Sequence, residues 1–225
     1  MQRMLLFLCL IILPFNALSI LLSFFTLRNL RYNYEQQVTN TFASYAEMLG
    51  QRLDTVDYQL FDLSTNDTSF LQFRQNNGDW HHELNRYNLT TTMDNEMTLS
   101  SAADAMFIKL SFEDDLTVVK RFQLDNGNLM THVDNNTLKD LMQDGSVANG
   151  RWHLIEEDGS QYLIRIIRWS DCTFGAYINC TTALESLLER YSENGTEVLL
   201  SQTGPEEMPG MLLCSAYDDT ADLYI

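Results

Sequence analysis

Arg165 is the side chain best placed to do chemistry in this sequence, and that chemistry is recognition of an anion. Alternation along residues 161–169 (QYLIRIIRW) puts it on one strand face with Leu163 and Ile167. Residues 172–180 (CTFGAYINC) add Phe174, Ala176 and Ile178 to that face. A guanidinium in such apolar company requires a carboxylate or phosphate, because an unpaired buried charge is costly. Two partners meet the need: an acidic side chain of the same chain, or the anionic group of a bound ligand. Tyr177, Tyr162 and Trp152 pose a similar choice, since strand aromatics line small-molecule pockets and also build ordinary core. Arg165, Tyr177, Trp152 and Tyr162 are the candidate ligand-binding residues.

No catalytic or metal site is expected. The sequence holds no G-x-S-x-G elbow, P-loop, H-E-x-x-H or dinucleotide fingerprint. His81-His82-Glu83 invites a metal reading, yet adjacent helical residues point about 100° apart, so a solvated polar turn is expected instead. Asp114-Asp115 and Asp218-Asp219 read as exposed turn carboxylates with no acid–base partner. Cys172 and Cys180 end one strand about 26 Å apart and cannot bond to each other. Cys214 has either as a conceivable partner, and Cys9 is expected to be inert. No cofactor is implied.

The charge balance narrows the partners. Fourteen Lys and Arg face 31 Asp and Glu in 225 residues, a net charge of −17. Since no acidic residue precedes Glu35, the first 34 residues carry only Arg3, Arg28 and Arg31. The remainder is more acidic still, which excludes a nucleic-acid partner.

Residues 4–27 (MLLFLCLIILPFNALSILLSFFTL) contain no charge. A helix of that length reaches about 36 Å, enough to cross a hydrocarbon core of about 30 Å, and Pro14 is tolerated there. The stretch is too long for a signal-peptide core and shows no small-x-small cleavage site, so an uncleaved anchor in the lipid bilayer is expected. Arg3 on one side against Arg28 and Arg31 on the other leaves its orientation undecided.

Beyond the span, Leu27, Leu30, Tyr34, Val38, Phe42, Tyr45, Leu49, Leu53, Val56, Leu60 and Leu63 recur at steps of three and four. They define one face of a continuous stalk helix over residues 28–65. Glu35, Gln36, Glu47, Arg52 and Asp54 are assigned to the other face. The stripe packs on its own domain and makes modest contact with a second copy, giving a homodimer through the stalk.

Ser64-Thr65-Asn66-Asp67 ends this helix and can cap a new one. A helical pattern resumes around Trp80, Leu84, Tyr87, Met93 and Met97. Strands are predicted over residues 105–111 and 117–124, with a tight reversal at Asn126-Gly127. Residues 135–143 (NNTLKDLMQ) form a short helix. Residues 151–156 are a strand, Glu157-Asp158-Gly159 a turn, and residues 161–169 and 172–180 a hairpin around Ser170-Asp171. Its register sets Arg168 opposite Thr173, Ile166 opposite Gly175 and Ile164 opposite Tyr177. Both hairpin faces are largely apolar, so it sits centrally in the sheet. An amphipathic helix over residues 181–191 follows, then strands starting near residues 197 and 211. The fold class is α+β.

The order of elements resembles the extracytoplasmic Cache-type sensor region of bacterial membrane sensor histidine kinases. The resemblance rests on the start PFNALSILLSFF, the stalk ending LSTNDTSF, and the run GRW, YLIRIIRW, FGAYIN and TTALESLL. It implies a PAS-like antiparallel sheet at residues 66–191 and an incomplete membrane-proximal subdomain at residues 192–225. It further implies that residues 1–3 are cytoplasmic and those after about 28 extracytoplasmic. On this resemblance the chain is an N-terminal fragment without catalytic activity, binding a small metabolite such as an amino acid or carboxylate. The same sensor region attached to a transcription regulator or cyclase is an alternative, as is a non-sensing membrane-anchored surface protein. Five glycosylation sequons, at Asn66, Asn88, Asn135, Asn179 and Asn194, also leave open a type II membrane glycoprotein.

Overall fold

The apolar N-terminus and the stalk are one uninterrupted helix, α1 (Gln2–Asn66), of 65 residues. The computed structural model describes residues 2–75, 80–121, 124–125, 128–145, 147–192, 198, 200–202, 216–218 and 220–225, and the side chains of most of them. Pro14 lies inside α1. The helix is about 98 Å long at 1.5 Å per residue. Its apolar segment is bare: Leu13, Phe15, Leu18, Ile20 and Leu22 are all more than 60% exposed. Among the described residues it is the one helix long and apolar enough to cross a membrane.

From residue 38 onward the expected stripe turns inward. Val38, Phe42, Leu49, Leu53, Val56, Leu60 and Leu63 are buried, whereas Leu27, Leu30 and Tyr34 stay exposed. Arg52 departs from its assignment to the solvent face. It borders the stripe at Leu49 plus three and reaches inward, where Nη2 donates to Asp104 Oδ1 at 2.8 Å.

Asp67 caps the next helix, accepting from Phe70 N at 2.8 Å. That helix, α2 (Thr68–Gln75), packs against α3 (Trp80–Ser100). The buried face of α3 carries His82, Asn85, Leu89, Met93 and Met97, while Leu84 and Tyr87 are exposed. The expected solvated turn at His82 is thus incorrect. Its ring stacks on Phe73 with centroids 4.7 Å apart, and its Nε2 faces the Glu113 carboxylate. Arg86 Nη2 donates to the same carboxylate at 2.9 Å.

Five strands form the main sheet: β1 (Ala105–Leu110), β2 (Leu116–Lys120), then β5 (Trp152–Glu157), β6 (Ser160–Arg168) and β7 (Cys172–Asn179). Their order is β2-β1-β7-β6-β5, every neighbour antiparallel. The hairpin of β6 and β7 lies inside the sheet, in the expected register. Trp169 N donates to Cys172 O at 2.8 Å, closing the turn at its tip. Asp158 and Gly159 take φ of 50° and 74°, the left-handed pair that a two-residue reversal between β5 and β6 demands. The strand expected over residues 117–124 is shorter: β2 ends at Lys120. A separate ribbon, β3 (Leu124–Asp125) with β4 (Asn128–Leu129), pairs antiparallel. The Asn126-Gly127 reversal between them lies outside the described residues.

The helix α4 (Asn135–Gln143) starts at Asp134, whose carboxylate accepts from Asn136 N at 2.8 Å. The helix expected over residues 181–191 is two, α5 (Cys180–Ala183) and α6 (Glu185–Ser192), because Leu184 leaves helical geometry at φ −108°. A C-terminal ribbon of β8 (Tyr217–Asp218) and β9 (Leu223–Tyr224) returns to α1. Asp218 is buried, not exposed: its carboxylate lies directly over Gly50. Gln202 ties this region to the edge strand β5, accepting from Leu154 N and donating to Trp152 O and Ala221 O. Asp219, Cys214, Asn194 and most of the strands expected near residues 197 and 211 lie outside the described residues.

Two cores result. One joins α1, α2, α3, α5, α6 and the C-terminal ribbon to the sheet face of Leu163, Phe174, Ala176 and Ile178. The other lies on the far face, where Tyr162, Ile164, Ile166, Tyr177 and Phe107 meet Leu138 and Met142 of α4.

Candidate functional site

Period-two alternation divides the four candidate residues between these faces. Arg165 and Trp152 are cross-strand partners on the stalk side. Tyr162 and Tyr177 meet on the far side, their rings edge-on with centroids 5.8 Å apart. The structure therefore brings together two pairs and not one group of four.

On the stalk side, Arg165 Nη1 donates to Asp57 Oδ2 of α1. The guanidinium carbon lies 6.0 Å from the centre of the Trp152 ring. Of the two partners open to Arg165, an internal carboxylate is in place. Burial, opposed by the Arg165 charge, raises the Asp57 carboxyl above its ordinary 3.8. The Trp152 indole also lies close enough to favour the ionised form, without reaching hydrogen-bond geometry. Asp57 follows Leu53 by four on the margin of the stripe, which is the signal that could have found it.

One turn and a half up the stalk, Asp104 is a second tie. It is 1% exposed, pairs with Arg52 and accepts from Asn179 N at 2.8 Å. Gln59 adds a third, donating to Glu96 O at 3.0 Å and Ser100 Oγ at 2.9 Å. Residues 52–59 of the stalk are thus held to the body by polar contacts as well as by apolar packing.

On the far side, the Tyr177 hydroxyl lies 3.1 Å from His132 Nδ1. Burial and then the neighbouring Tyr162 push the Tyr177 phenol well up. Burial and then Lys120 hold His132 below its ordinary 6.5, so it is neutral at neutral pH. Lys120 Nζ donates to Val133 O at 3.0 Å, and Asn179 Nδ2 to Thr131 Oγ1 at 3.0 Å. His132 lies in a stretch without periodicity, so sequence reasoning had no handle on it.

Cys172 and Cys180 are free and buried, each thiol pushed up to about 12 chiefly by burial. That makes them poor nucleophiles at neutral pH. Asn179, at 1% exposure, caps α5 by accepting from Thr182 N. Among the described residues no group of three metal-ligating side chains comes together. An open groove of about 370 Å³ lies between α1 and the C-terminal ribbon, lined by Ala46, Glu47, Gly50, Asp54, Tyr217 and Asp218.

No family model matches the chain, and no curated protein matches it. Among solved structures it is similar to the extracellular domain of the putative histidine kinase vpHK1S-Z8, at 10% identity and a TM-score of 0.38. The match covers 70% of this chain and 62% of that one, and so distant a likeness carries no functional argument.

Proposed function

We propose that this chain is the extracytoplasmic ligand-sensing region of a membrane sensor histidine kinase. One observation carries the reading. A single helix runs from an apolar segment bare of protein contacts into the core of an α+β domain, without a break. Exposed leucine and phenylalanine over that length belong in lipid, because in water their apolar area stays unburied. A rod shared by bilayer and domain can carry a shift or rotation from one to the other. The ties at Arg52, Asp57 and Gln59 make such a rod respond to the body of the domain instead of sliding past it. The catalytic part belongs to polypeptide other than this, and the chain itself does no catalysis.

In this reading the domain is PAS-like and Cache-type and lies outside the membrane, and its ligand is a small metabolite such as an amino acid or carboxylate. Tyr162 and Tyr177 are buried in the far-face core with His132 beside them, so a ligand that used them would have to enter that core. Arg165 and Trp152 lie where ligand state must reach the stalk. A second copy docks along Leu27, Leu30 and Tyr34, the exposed continuation of the buried stripe.

A thermal-shift screen of the full chain in lipid nanodiscs against amino acids, carboxylates and sugars tests the proposal. One chemical class should raise the melting temperature by mass action. No shift from any of them removes the sensing function. Arg165→Ala adds a second readout: a lost response with the fold intact assigns Arg165 to the ligand, and unfolding assigns it to Asp57.

A further inference from the structure

The Asp57–Arg165 pair is the least satisfied polar contact between stalk and sheet. Asp57 Oδ1, Arg165 Nε and Trp152 Nε1 are all buried without a hydrogen-bond partner. These three atoms belong to one cluster, since Trp152 opposes Arg165 across β5 and β6 and Asp57 accepts from the same guanidinium. The neighbouring Asp104 differs, with one oxygen on Arg52 and the other on Asn179 N. An ionised carboxylate with an empty buried lone pair retains much of its desolvation cost, which a single partner does not recover.

We propose that Asp57–Arg165 is a protonation-sensitive clasp, in which neutralising Asp57 tightens the hold of the sheet on the stalk, so that acid favours the docked arrangement. The groups facing Asp57 are Arg165 from β6, Trp152 from β5 and Asp54 three residues earlier on its own helix. Arg165 and then the Trp152 indole favour the ionised form, whereas burial, the largest influence, and Asp54 oppose it. The sign follows from linkage. A docked stalk binds the Asp57 proton more tightly than an undocked one, whose carboxyl has the ordinary value of 3.8. Docking is therefore gained as pH falls toward 3.8 and given back as pH rises through the elevated value. The use of this clasp in signalling rests on the function proposed above, whereas its existence does not.

The test is hydrogen exchange of the full chain in lipid nanodiscs, without ligand, from neutral pH downward and corrected for intrinsic exchange. Exchange over residues 52–60 should slow by up to about tenfold for each unit by which the docked carboxyl exceeds 3.8. Asp57→Asn should be protected already at neutral pH and show no such rise. Arg165→Met should begin its rise at higher pH, because the cation favouring ionisation is gone. A flat wild-type profile, an Asp57→Asn profile that still tracks wild type, or protection lost in Asp57→Asn would each overturn the clasp. Wild type against Asp57→Asn decides alone if Arg165→Met does not fold. A failed metabolite screen leaves this measurement untouched, and a failed clasp leaves the screen untouched.

Discussion

Arg165 and Arg168 stand three residues apart on β6, point to opposite faces of the sheet, and are held in opposite ways. Arg168 donates to four main-chain carbonyls: Leu141, Met142, Asp144 and Val147, at 2.8–3.0 Å. Its cation thereby caps the C-terminal end of α4, where the helix dipole favours positive charge. Arg165 has one titratable carboxylate and a buried Nε without a partner. Main-chain carbonyls do not change charge with pH, so the far face is fastened permanently around α4. The stalk face is fastened by a side chain that can lose its charge. The same residue type thus serves as a rivet on one side and as an adjustable tie on the other.

The largest effect should come from Gly175→Ala, which attacks the far-face core from within β7. A Cβ there would sit 2.0 Å from Arg165 O and 2.8 Å from Phe107 Cζ. Backbone in the middle of a sheet cannot step aside, so the loss should reach about 3 kcal/mol, the upper end for overpacking. Chemical denaturation of the full chain in detergent measures it, and a loss under about 1 kcal/mol would show that the sheet accommodates the methyl. Arg168→Ala should follow at about 2 kcal/mol, since partly exposed carbonyls regain water while the charge on the helix end is lost. Its effect should be independent of pH. A pH-dependent loss would erase the contrast drawn between the two arginines.

Much of this arrangement was readable from residue order, for identifiable reasons. The β6–β7 register, its division into two apolar faces and its central place followed from alternation around a short turn, because a period of two leaves no freedom once the turn is placed. The short helix expected over residues 135–143 matches α4, and its cap at Asp134 is what the structure adds. What escaped were long-range polar partners. Arg52 meets Asp104 across 52 residues and Asp57 meets Arg165 across 108, and one-dimensional spacing does not say which carboxylate faces which arginine. His82 escaped for a related reason. Its ring is covered by Phe73 of another helix, so a polar triplet that looked solvated is a packed one. Asp218 was misread because the small residue that admits it, Gly50, stands far away on the stalk.

Gly50→Ala sharpens the comparison from the stalk side. The new Cβ would fall 2.1 Å from Asp218 Oδ2, the end of a side chain that can swing away. The cost should therefore be about 1 kcal/mol, well below that of Gly175→Ala, and confined to the C-terminal ribbon. Limited proteolysis should show faster cleavage after residue 200 with the sheet still protected. Equal losses for the two glycines would mean that the ribbon and the far-face core are one cooperative unit.

The smallest expected effect separates the two faces by the sign of their response to acid. His132 on the far face is held below its ordinary 6.5 by burial and then by Lys120. The folded state thus resists its proton, and the stability present above 6.5 is lost as pH falls through the depressed value. Asp57 behaves oppositely, its raised carboxyl adding stability as pH falls toward 3.8. A melting-temperature profile of the full chain should therefore lose stability below 6.5 through His132 and regain part of it toward 3.8 relative to Asp57→Asn. His132→Asn should remove the loss and leave the Asp57-dependent recovery in place. If that variant instead abolished both, His132 and Asp57 would be titrating as one coupled system across the sheet, and the two faces could no longer be treated as separate fastenings.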